Sequence, residues 1–134
     1  MTATEPETGP LVLVVDDDAR SRELMRIILR HAGYRVLAAP DAQGAIALLA
    51  VERPAAALAD LLMPGMSGLE FCRWARARRD FDGMAFVLLT GMDTDETRQD
   101  ARDAGADAVV TKPFDRVRLL ELLAGLLAQR SAHP

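Results

Sequence analysis

Acidic side chains stand where two apolar stretches of the sequence end. Asp16 and Asp17 follow the run LVLVV at residues 11–15, and Asp60 follows the run AAALA at residues 55–59. Carboxylates that meet near an apolar core repel one another and lose solvation, so a positive group or a hydrogen-bonding device should compensate them. A hard divalent cation such as Mg²⁺ prefers oxygen ligands of this kind and keeps several waters. These acids therefore predict a magnesium site.

Thr90 and Lys112 also stand at the ends of apolar runs, and both suit phosphoryl chemistry. Lys112 is the single lysine among 16 basic residues. A lysine ammonium can contact phosphoryl oxygens from the side opposite a metal, and a threonine hydroxyl supplies a further donor. Asp60 opens the segment DLLMPGMSG at residues 60–68, whose proline and glycines predict a tight, exposed loop. The combination predicts phosphoryl transfer to a carboxylate.

The elements that must position these residues alternate regularly between strand and helix. The alternation predicts an α/β domain with a doubly wound, five-stranded parallel sheet and five helices. In such a sheet the carboxyl ends of the strands form the ligand-binding edge, which is where the five polar side chains converge. The predicted strands are residues 11–15, 34–38, 55–59, 84–89 and 107–111, and the predicted helices are residues 19–31, 42–52, 67–79, 94–104 and 115–129.

Helix boundaries are marked by capping residues. Ser67 and Glu70 have the spacing of a capping box that opens the third helix, and Asp41 can cap the second. Gly33 and Gly105 stand where the first and fourth helices should end. The boundaries support the same order of elements.

Composition narrows the class of protein. The 134 residues suffice for one domain, half of them are apolar, and a net charge of −4 gives no basic footprint for nucleic acid. No apolar run could cross a membrane, and the N-terminus lacks the pattern of a signal peptide. The single cysteine, Cys72, cannot form an internal disulfide. We expect a cytoplasmic protein with no direct contact to nucleic acid or membrane.

Four motifs together resemble the receiver domains of bacterial two-component response regulators. They are VVDD at 14–17, DLLMPGMSG at 60–68, LLTG at 88–91 and TKPF at 111–114, in the usual order and with near-usual spacing. The resemblance covers residues 11–128 and implies a flavodoxin-like fold with strand order 2-1-3-4-5. It implies a receiver domain over residues 10–130, and we expect disordered tails at 1–9 and 131–134.

The resemblance also implies roles for individual residues. Asp60 would be the phosphoacceptor, Thr90 would bind a phosphoryl oxygen and move toward it, and Lys112 would pair with Asp60 or the phosphoryl group. The Lys112–Pro113 peptide bond is usually cis in the family. The implied Mg²⁺ ligands are Asp17, Asp60 and the backbone carbonyl of Leu62, with Asp16 acting through water.

The implied function is signalling rather than enzymatic turnover of a substrate. A histidine kinase or histidine phosphotransfer protein would donate the phosphoryl group, and a downstream protein would bind residues 94–129. The apolar stretch LLELLAGLLA at 119–128 also suits a homodimer. Met1 and the polar ends favour a natural single domain that acts alone, like a chemotaxis regulator.

Three residues depart from the family pattern. Val109 stands where many receivers have a Tyr or Phe whose change of rotamer signals phosphorylation. Valine has no ring to provide that signal. Leu62 and Met92 stand two residues after Asp60 and Thr90 and cannot orient an attacking water by hydrogen bonding. We therefore hypothesise slow self-dephosphorylation.

Two other functions compete with the receiver. In a phosphohydrolase of the haloacid dehalogenase type, Asp16 would be the nucleophile and Asp18 the acid, assisted by Thr90 and Lys112. That class needs a further acidic metal motif and leaves Asp60 unexplained, whereas Asp18 is more simply a helix cap. A pseudo-receiver that has lost phosphorylation conflicts with the complete set of acids, threonine and lysine.

Two features of the third predicted helix have a structural interpretation. Its arginines, Arg73, Arg76, Arg78 and Arg79, most simply form a solvated face, and a docking surface is the alternative. Cys72 is predicted to pack in the core rather than to react as a thiol.

Overall fold

A computed structural model describes residues 8–131 of the chain, so most of the two predicted tails lies outside the described residues. Five strands alternate with five α-helices, and a short 3-10 helix at Arg79–Phe81 precedes the fourth strand. The elements are β1 (Leu11–Val15), α1 (Ala19–His31), β2 (Arg35–Ala39), α2 (Ala42–Leu49), β3 (Ala56–Asp60), α3 (Gly68–Arg76), β4 (Ala85–Thr90), α4 (Asp95–Ala104), β5 (Ala108–Thr111) and α5 (Arg116–Ser131).

The sheet confirms the predicted topology. All neighbouring strands pair in parallel, and the order is β2-β1-β3-β4-β5. The strands β1 and β4 are buried almost throughout, as their continuous apolar sequences indicate for strands covered on both faces. The alanine-rich β3 is also buried from Ala56 to Ala59, although alanine has low strand propensity. Its central position between β1 and β4 overrides that propensity.

Helices cover both faces of the sheet and form two apolar clusters. On one face α1 and α5 contribute Met25, Leu29, Leu119 and Leu123. On the other face α2, α3 and α4 pack over the sheet around Phe71 and Phe86, whose rings meet edge to face. Much of the leucine-rich stretch of α5 thus packs toward the sheet. The two layers hold the strand ends in fixed positions.

The caps agree with the sequence, whereas two helices end earlier than predicted. Ser67 and Glu70 form the capping box of α3, and Asp41 accepts a hydrogen bond from the Gly44 amide at the start of α2. Gly105 ends α4 with φ of +94°, a conformation that favours glycine. Helix α2 stops three residues before position 52. Beyond it the Val51 amide donates to the Leu48 carbonyl, three residues back, and Pro54 disfavours a helical conformation at the residue before it.

Helix α3 ends at Arg76, and that arginine does not belong to a solvated face. Its Nε donates to the Gly105 carbonyl at 2.8 Å, and its Nη1 donates to the carbonyls of Phe81 and Met84 at 2.9 and 2.8 Å. Its Nη2 contacts Asp107 at 3.1 Å. The prediction is wrong for Arg76, because these fixed carbonyls come from loops that the helical pattern does not register. Arg73, Arg78 and Arg79 are exposed as predicted.

Cys72 is fully buried beside α4, as predicted for a packing residue. Its Sγ lies 3.4 Å from the Ala104 carbonyl, and burial raises the pKa of the thiol to about 11. A thiolate is therefore scarce at neutral pH. None of the helices within residues 8–131 has the length and apolar character needed to cross a bilayer.

Candidate functional site

The carboxyl edge of the sheet brings three acids together. Strands β1 and β3 pair with Val15 opposite Ala59, so Asp16 and Asp60 leave the sheet side by side. Each of Asp16, Asp17 and Asp60 offers one carboxylate oxygen, and these three oxygens lie within 4.8 Å of one another. The Asp16 side chain is 4% exposed and that of Asp60 14%, whereas Asp17 faces solvent. The predicted acid cluster is present.

Lys112 directly follows the carboxyl end of β5, and its side chain reaches this cluster. Its Nζ lies 2.6 Å from Oδ1 of Asp60 and 3.5 Å from Oδ2 of Asp16. The Lys112 amide donates to the Thr90 carbonyl at 2.7 Å, and the following Lys112–Pro113 peptide bond is cis. The backbone thus directs the lysine across β4 toward the acids.

Burial and charge act in opposite directions on this pair. Burial raises the pKa of Asp60 and the charge of Asp16 adds to the rise, which together outweigh the lowering effect of Lys112. Burial lowers the pKa of Lys112, but the hydrogen bond and the charge of Asp60 have a larger effect in the opposite direction. The net result is a raised pKa of Lys112. The Lys112 ammonium thus contacts two of the three clustered carboxylates, and negative charge remains in excess.

The loop after β3 holds Asp60 in place through a close backbone approach. The Gly68 amide donates to the Leu61 carbonyl at 2.9 Å, and a Cβ at Gly68 would overlap the Asp60 carbonyl. Only glycine allows the start of α3 to lie this close to the end of β3. Between them Leu62 has a side chain that is 73% exposed. The predicted tight loop is confirmed, with an apolar residue at its tip.

Thr90 lies at the same edge, and its hydroxyl forms hydrogen bonds within its own loop. It is 3% exposed, and its Oγ1 accepts from the Met92 amide at 3.0 Å and lies 3.3 Å from the Met92 carbonyl. The hydroxyl is therefore engaged by its own loop. To donate to a phosphoryl oxygen, the hydroxyl would have to give up its contact with the Met92 carbonyl.

Asp18 caps α1, as the simpler interpretation predicted. Its carboxylate accepts hydrogen bonds from the Ser21 amide at 3.0 Å and from the Ser21 hydroxyl at 2.7 Å. These bonds lower the pKa of Asp18, so it is a poor proton donor at neutral pH. An acid role for Asp18 in a hydrolase does not fit this arrangement.

One residue that the sequence interpretation missed lies behind the acids. Arg22 Nη1 donates to the backbone carbonyl of Asp16 at 2.8 Å. Nothing in its type distinguishes Arg22 from the other arginines. Only its position in the first turn of α1, directly after the acidic run, could have indicated the contact.

The donor set fits a hard divalent cation. Three carboxylate oxygens from two adjacent strand ends match the oxygen chemistry that Mg²⁺ selects, and the exposure of Asp17 leaves access for water ligands. Lys112 compensates part of the negative charge and leaves the remainder for a cation. The residues present therefore fit magnesium.

The fold and this edge define a response regulator receiver domain, and the family model with that description matches residues 12–124. The chain belongs to this family, whose members take part in phosphorylation-type signalling. The response regulator MprA of Mycolicibacterium vanbaalenii is 40% identical over 116 residues, which are 87% of this chain and 49% of that protein. The chain thus spans about half the length of the curated relatives it matches.

Solved structures agree with this assignment. A CheY-like receiver domain protein from Methanospirillum hungatei has a TM-score of 0.88 and 31% identity, covering 95% of this chain and 100% of that one. The receiver domain of a sensor histidine kinase from Pseudomonas aeruginosa has a TM-score of 0.83 and 26% identity over 90% of this chain and 99% of that chain. That receiver holds a magnesium ion coordinated in its active site cleft.

Proposed function

We propose that this chain is a phosphorylation-controlled switch that accepts a phosphoryl group on Asp60 in the presence of Mg²⁺. The observation that carries the proposal is the 2.6 Å contact of Lys112 with Asp60 inside a cluster of three carboxylates. The magnesium ligands would be Asp16 through water, Asp17, Asp60 and the backbone carbonyl of Leu62. Bound Mg²⁺ would neutralise charge on the incoming phosphoryl oxygens.

The chain's own residues account for the transfer step. The Lys112 ammonium holds one oxygen of Asp60 while the other oxygen attacks phosphorus. A phosphorus–oxygen bond to Asp60 forms as the bond to the donor breaks, and the electron pair leaves with the donor's imidazole or carboxylate. Lys112 then pairs with the transferred group, whose oxygens carry the charge that Asp60 had. The domain takes part in its own phosphorylation and turns over no other substrate.

The response to phosphorylation would begin at Thr90. Its hydroxyl, now bonded to Met92, would turn to a phosphoryl oxygen and draw the loop before α4 with it. Val109 lies in the next strand and offers no aromatic ring to report this movement. The downstream protein would therefore recognise the rearranged surface of residues 94–129 itself.

The surface indicates where two kinds of partner could bind. Exposed apolar side chains lie on α1, where Leu24 is 55% and Ile27 44% exposed, and Leu24 lines a cavity of about 300 Å³ that reaches Lys112. A histidine kinase or phosphotransfer protein would approach the site over this side. The outer face of α4 is charged instead, so within residues 94–129 the surface of this helix suits a polar downstream target. A homodimer through this region and a cytoplasmic location stay predictions.

Intact mass tests the proposal directly. The wild type, Asp60→Asn and Asp18→Asn are incubated with a small acyl phosphate and Mg²⁺. We expect one phosphoryl group on the wild type and on Asp18→Asn, none on Asp60→Asn, and none on any protein after chelation. A phosphoryl group on Asp60→Asn would place the acceptor elsewhere. Loss of the adduct in Asp18→Asn would favour the hydrolase instead.

A further inference from the structure

Asp16 is the most enclosed of the three acids, and neighbouring groups fix it on nearly every side. Its amide donates to the Ala39 carbonyl of β2 at 3.2 Å, and its Oδ1 accepts from the Asp18 amide at 2.9 Å. Its Oδ2 faces Lys112 at 3.5 Å. Its carbonyl is the one remaining polar group, and a side chain, that of Arg22, holds it.

The hydrogen bond from Arg22 also determines the direction of the backbone at Asp17. Asp17 faces solvent, and no side-chain hydrogen bond holds its carboxylate among residues 8–131. The peptide unit between Asp16 and Asp17 is planar, so fixing the Asp16 carbonyl fixes the direction in which the chain enters Asp17. The Arg22 amide in turn donates to the Asp18 carbonyl at 2.9 Å, which anchors the arginine to the first turn of α1. One side chain thus sets the plane that relates two of the acids.

We infer that Arg22 is a positioning residue, which orients the Asp16–Asp17 peptide so that both carboxylates can face one cation. The inference rests on the proposed function of the acid cluster and adds to it a residue outside the acids, Thr90 and Lys112. Groups that hold metal ligands in place typically change metal affinity by about 10- to 100-fold when they are lost. A half-buried guanidinium suits this task, because its donors lie in one rigid plane.

The charge of Arg22 and its positioning role predict opposite changes in Mg²⁺ affinity when Arg22 is lost. The guanidinium lies close to the acids, so it repels a divalent cation, and its removal would strengthen Mg²⁺ binding if charge alone mattered. If positioning dominates, its removal weakens binding despite the lost repulsion. Arg20, two residues away and fully on the surface, offers a matched change in charge without a side-chain bond to the acid loop.

The experiment measures the Mg²⁺ dissociation constant by titration calorimetry on the wild type, Arg22→Gln, Arg20→Gln and Asp17→Asn. Circular dichroism fixes a temperature at which every variant is fully folded, so that a loss of stability alone does not move the constant. Arg22→Ala serves as a second variant with high helix propensity. Arg22→Lys keeps the charge and a donor.

We expect the dissociation constant of Arg22→Gln and Arg22→Ala to rise about tenfold, with partial recovery in Arg22→Lys. Arg20→Gln should bind Mg²⁺ as tightly as the wild type or slightly more tightly. Equal or tighter binding by Arg22→Gln or Arg22→Ala would overturn the inference. Asp17→Asn separates the two proposals: if it also binds like the wild type, the metal site itself is wrong, whereas its loss of binding leaves only the role of Arg22 in question.

Discussion

Charged side chains form clusters at both edges of the same sheet, but the two clusters differ in how well donors match acceptors. At the amino edge Arg76 donates to three loop carbonyls and to Asp107. Asp107 also accepts from the Phe86 amide at 2.8 Å and from Arg130 at 2.6 Å. Every partner is supplied by the chain itself.

At the carboxyl edge the balance is different. Asp16, Asp17 and Asp60 cluster there, the Lys112 ammonium contacts Asp16 and Asp60, and the Thr90 hydroxyl is bonded to its own loop. Burial raises the pKa of Asp60 there, which shows that the folded chain alone does not fully compensate this carboxylate. A cluster whose donors and acceptors are paired within the chain, such as that of Arg76 and Asp107, is a saturated cluster, and it stabilises the fold. A cluster that keeps excess charge is available for a ligand.

Breaking the saturated cluster should have the largest effect on stability. Arg76→Met removes the donor that joins the loops before β4 and β5 and leaves Asp107 and three carbonyls short of a partner. We expect the free energy of unfolding to fall by about 3 kcal/mol, measured by urea denaturation. Arg73→Gln, on the exposed side of the same helix, should change it by no more than about 0.5 kcal/mol. Equal effects of both variants would contradict the distinction.

At the carboxyl edge, the binding of Mg²⁺ should have the next largest effect on stability. A hundredfold excess of Mg²⁺ over its dissociation constant should raise the free energy of unfolding by about 2.7 kcal/mol, because only the folded chain assembles the three carboxylates. Chelation should remove the gain, as judged by thermal unfolding with and without Mg²⁺. Asp17→Asn should show no such gain, and a gain of the same size in that variant would argue against a cation among these acids.

The apolar rim of the carboxyl edge predicts a slow loss of the phosphoryl group. Leu62 and Met92 are 73% and 63% exposed and offer no hydrogen bond to an attacking water. Leu62→Asn and Met92→Gln should each shorten the lifetime of the phosphorylated form on the order of tenfold, followed by intact mass after removal of the donor. Leu62→Met is the apolar control. A wild-type half-life in the range of seconds would contradict the prediction.

The smallest expected effect is the change in folding stability that the charge of Asp60 causes when no cation is bound. Because the folded state raises the pKa of Asp60 above its ordinary value of 3.8, the folded chain holds this proton more tightly than the unfolded chain does. The stability that Asp60 itself contributes is therefore fully present below pH 3.8 and is lost as the pH rises from 3.8 through the higher folded pKa.

In Mg²⁺-free buffer at neutral pH, Asp60→Asn should thus unfold a few degrees above the wild type. The difference should shrink in acid, where Asp60 is protonated in both states. Thermal unfolding of both proteins at neutral and acidic pH measures it. A variant less stable than the wild type at neutral pH would show that the contact with Lys112 outweighs burial.

Much of the fold follows from local pattern. Apolar runs and their alternation with helical segments marked the strands. The caps at Asp41, Ser67 and Gly105 marked helix boundaries, because such residues satisfy backbone groups within a few positions. Helix ends were less predictable where distant groups decided them. Arg76, the last residue of α3, donates to the carbonyl of Gly105, 29 residues further along the chain, and to that of Met84 just before β4.

The candidate site shows the same division. The residue types at the strand ends indicated its chemistry, because the carboxyl ends of parallel strands meet at one edge. The pattern did not show that the Thr90 hydroxyl is bonded to Met92 or that Arg22 holds the Asp16 carbonyl. Both depend on the path of a loop and on one rotamer.

The sequence by itself determined the order of the elements, the strand-end set of Asp16, Asp17, Asp60, Thr90 and Lys112, and the capping role of Asp18. These properties depend on residue type and short spacing, which local physical chemistry governs. The tertiary structure alone decided which charges match one another, as at Arg76 and Asp107, and which remain in excess, as at Asp60. That distinction depends on burial and on distances between residues far apart in the chain, and only packing fixes these.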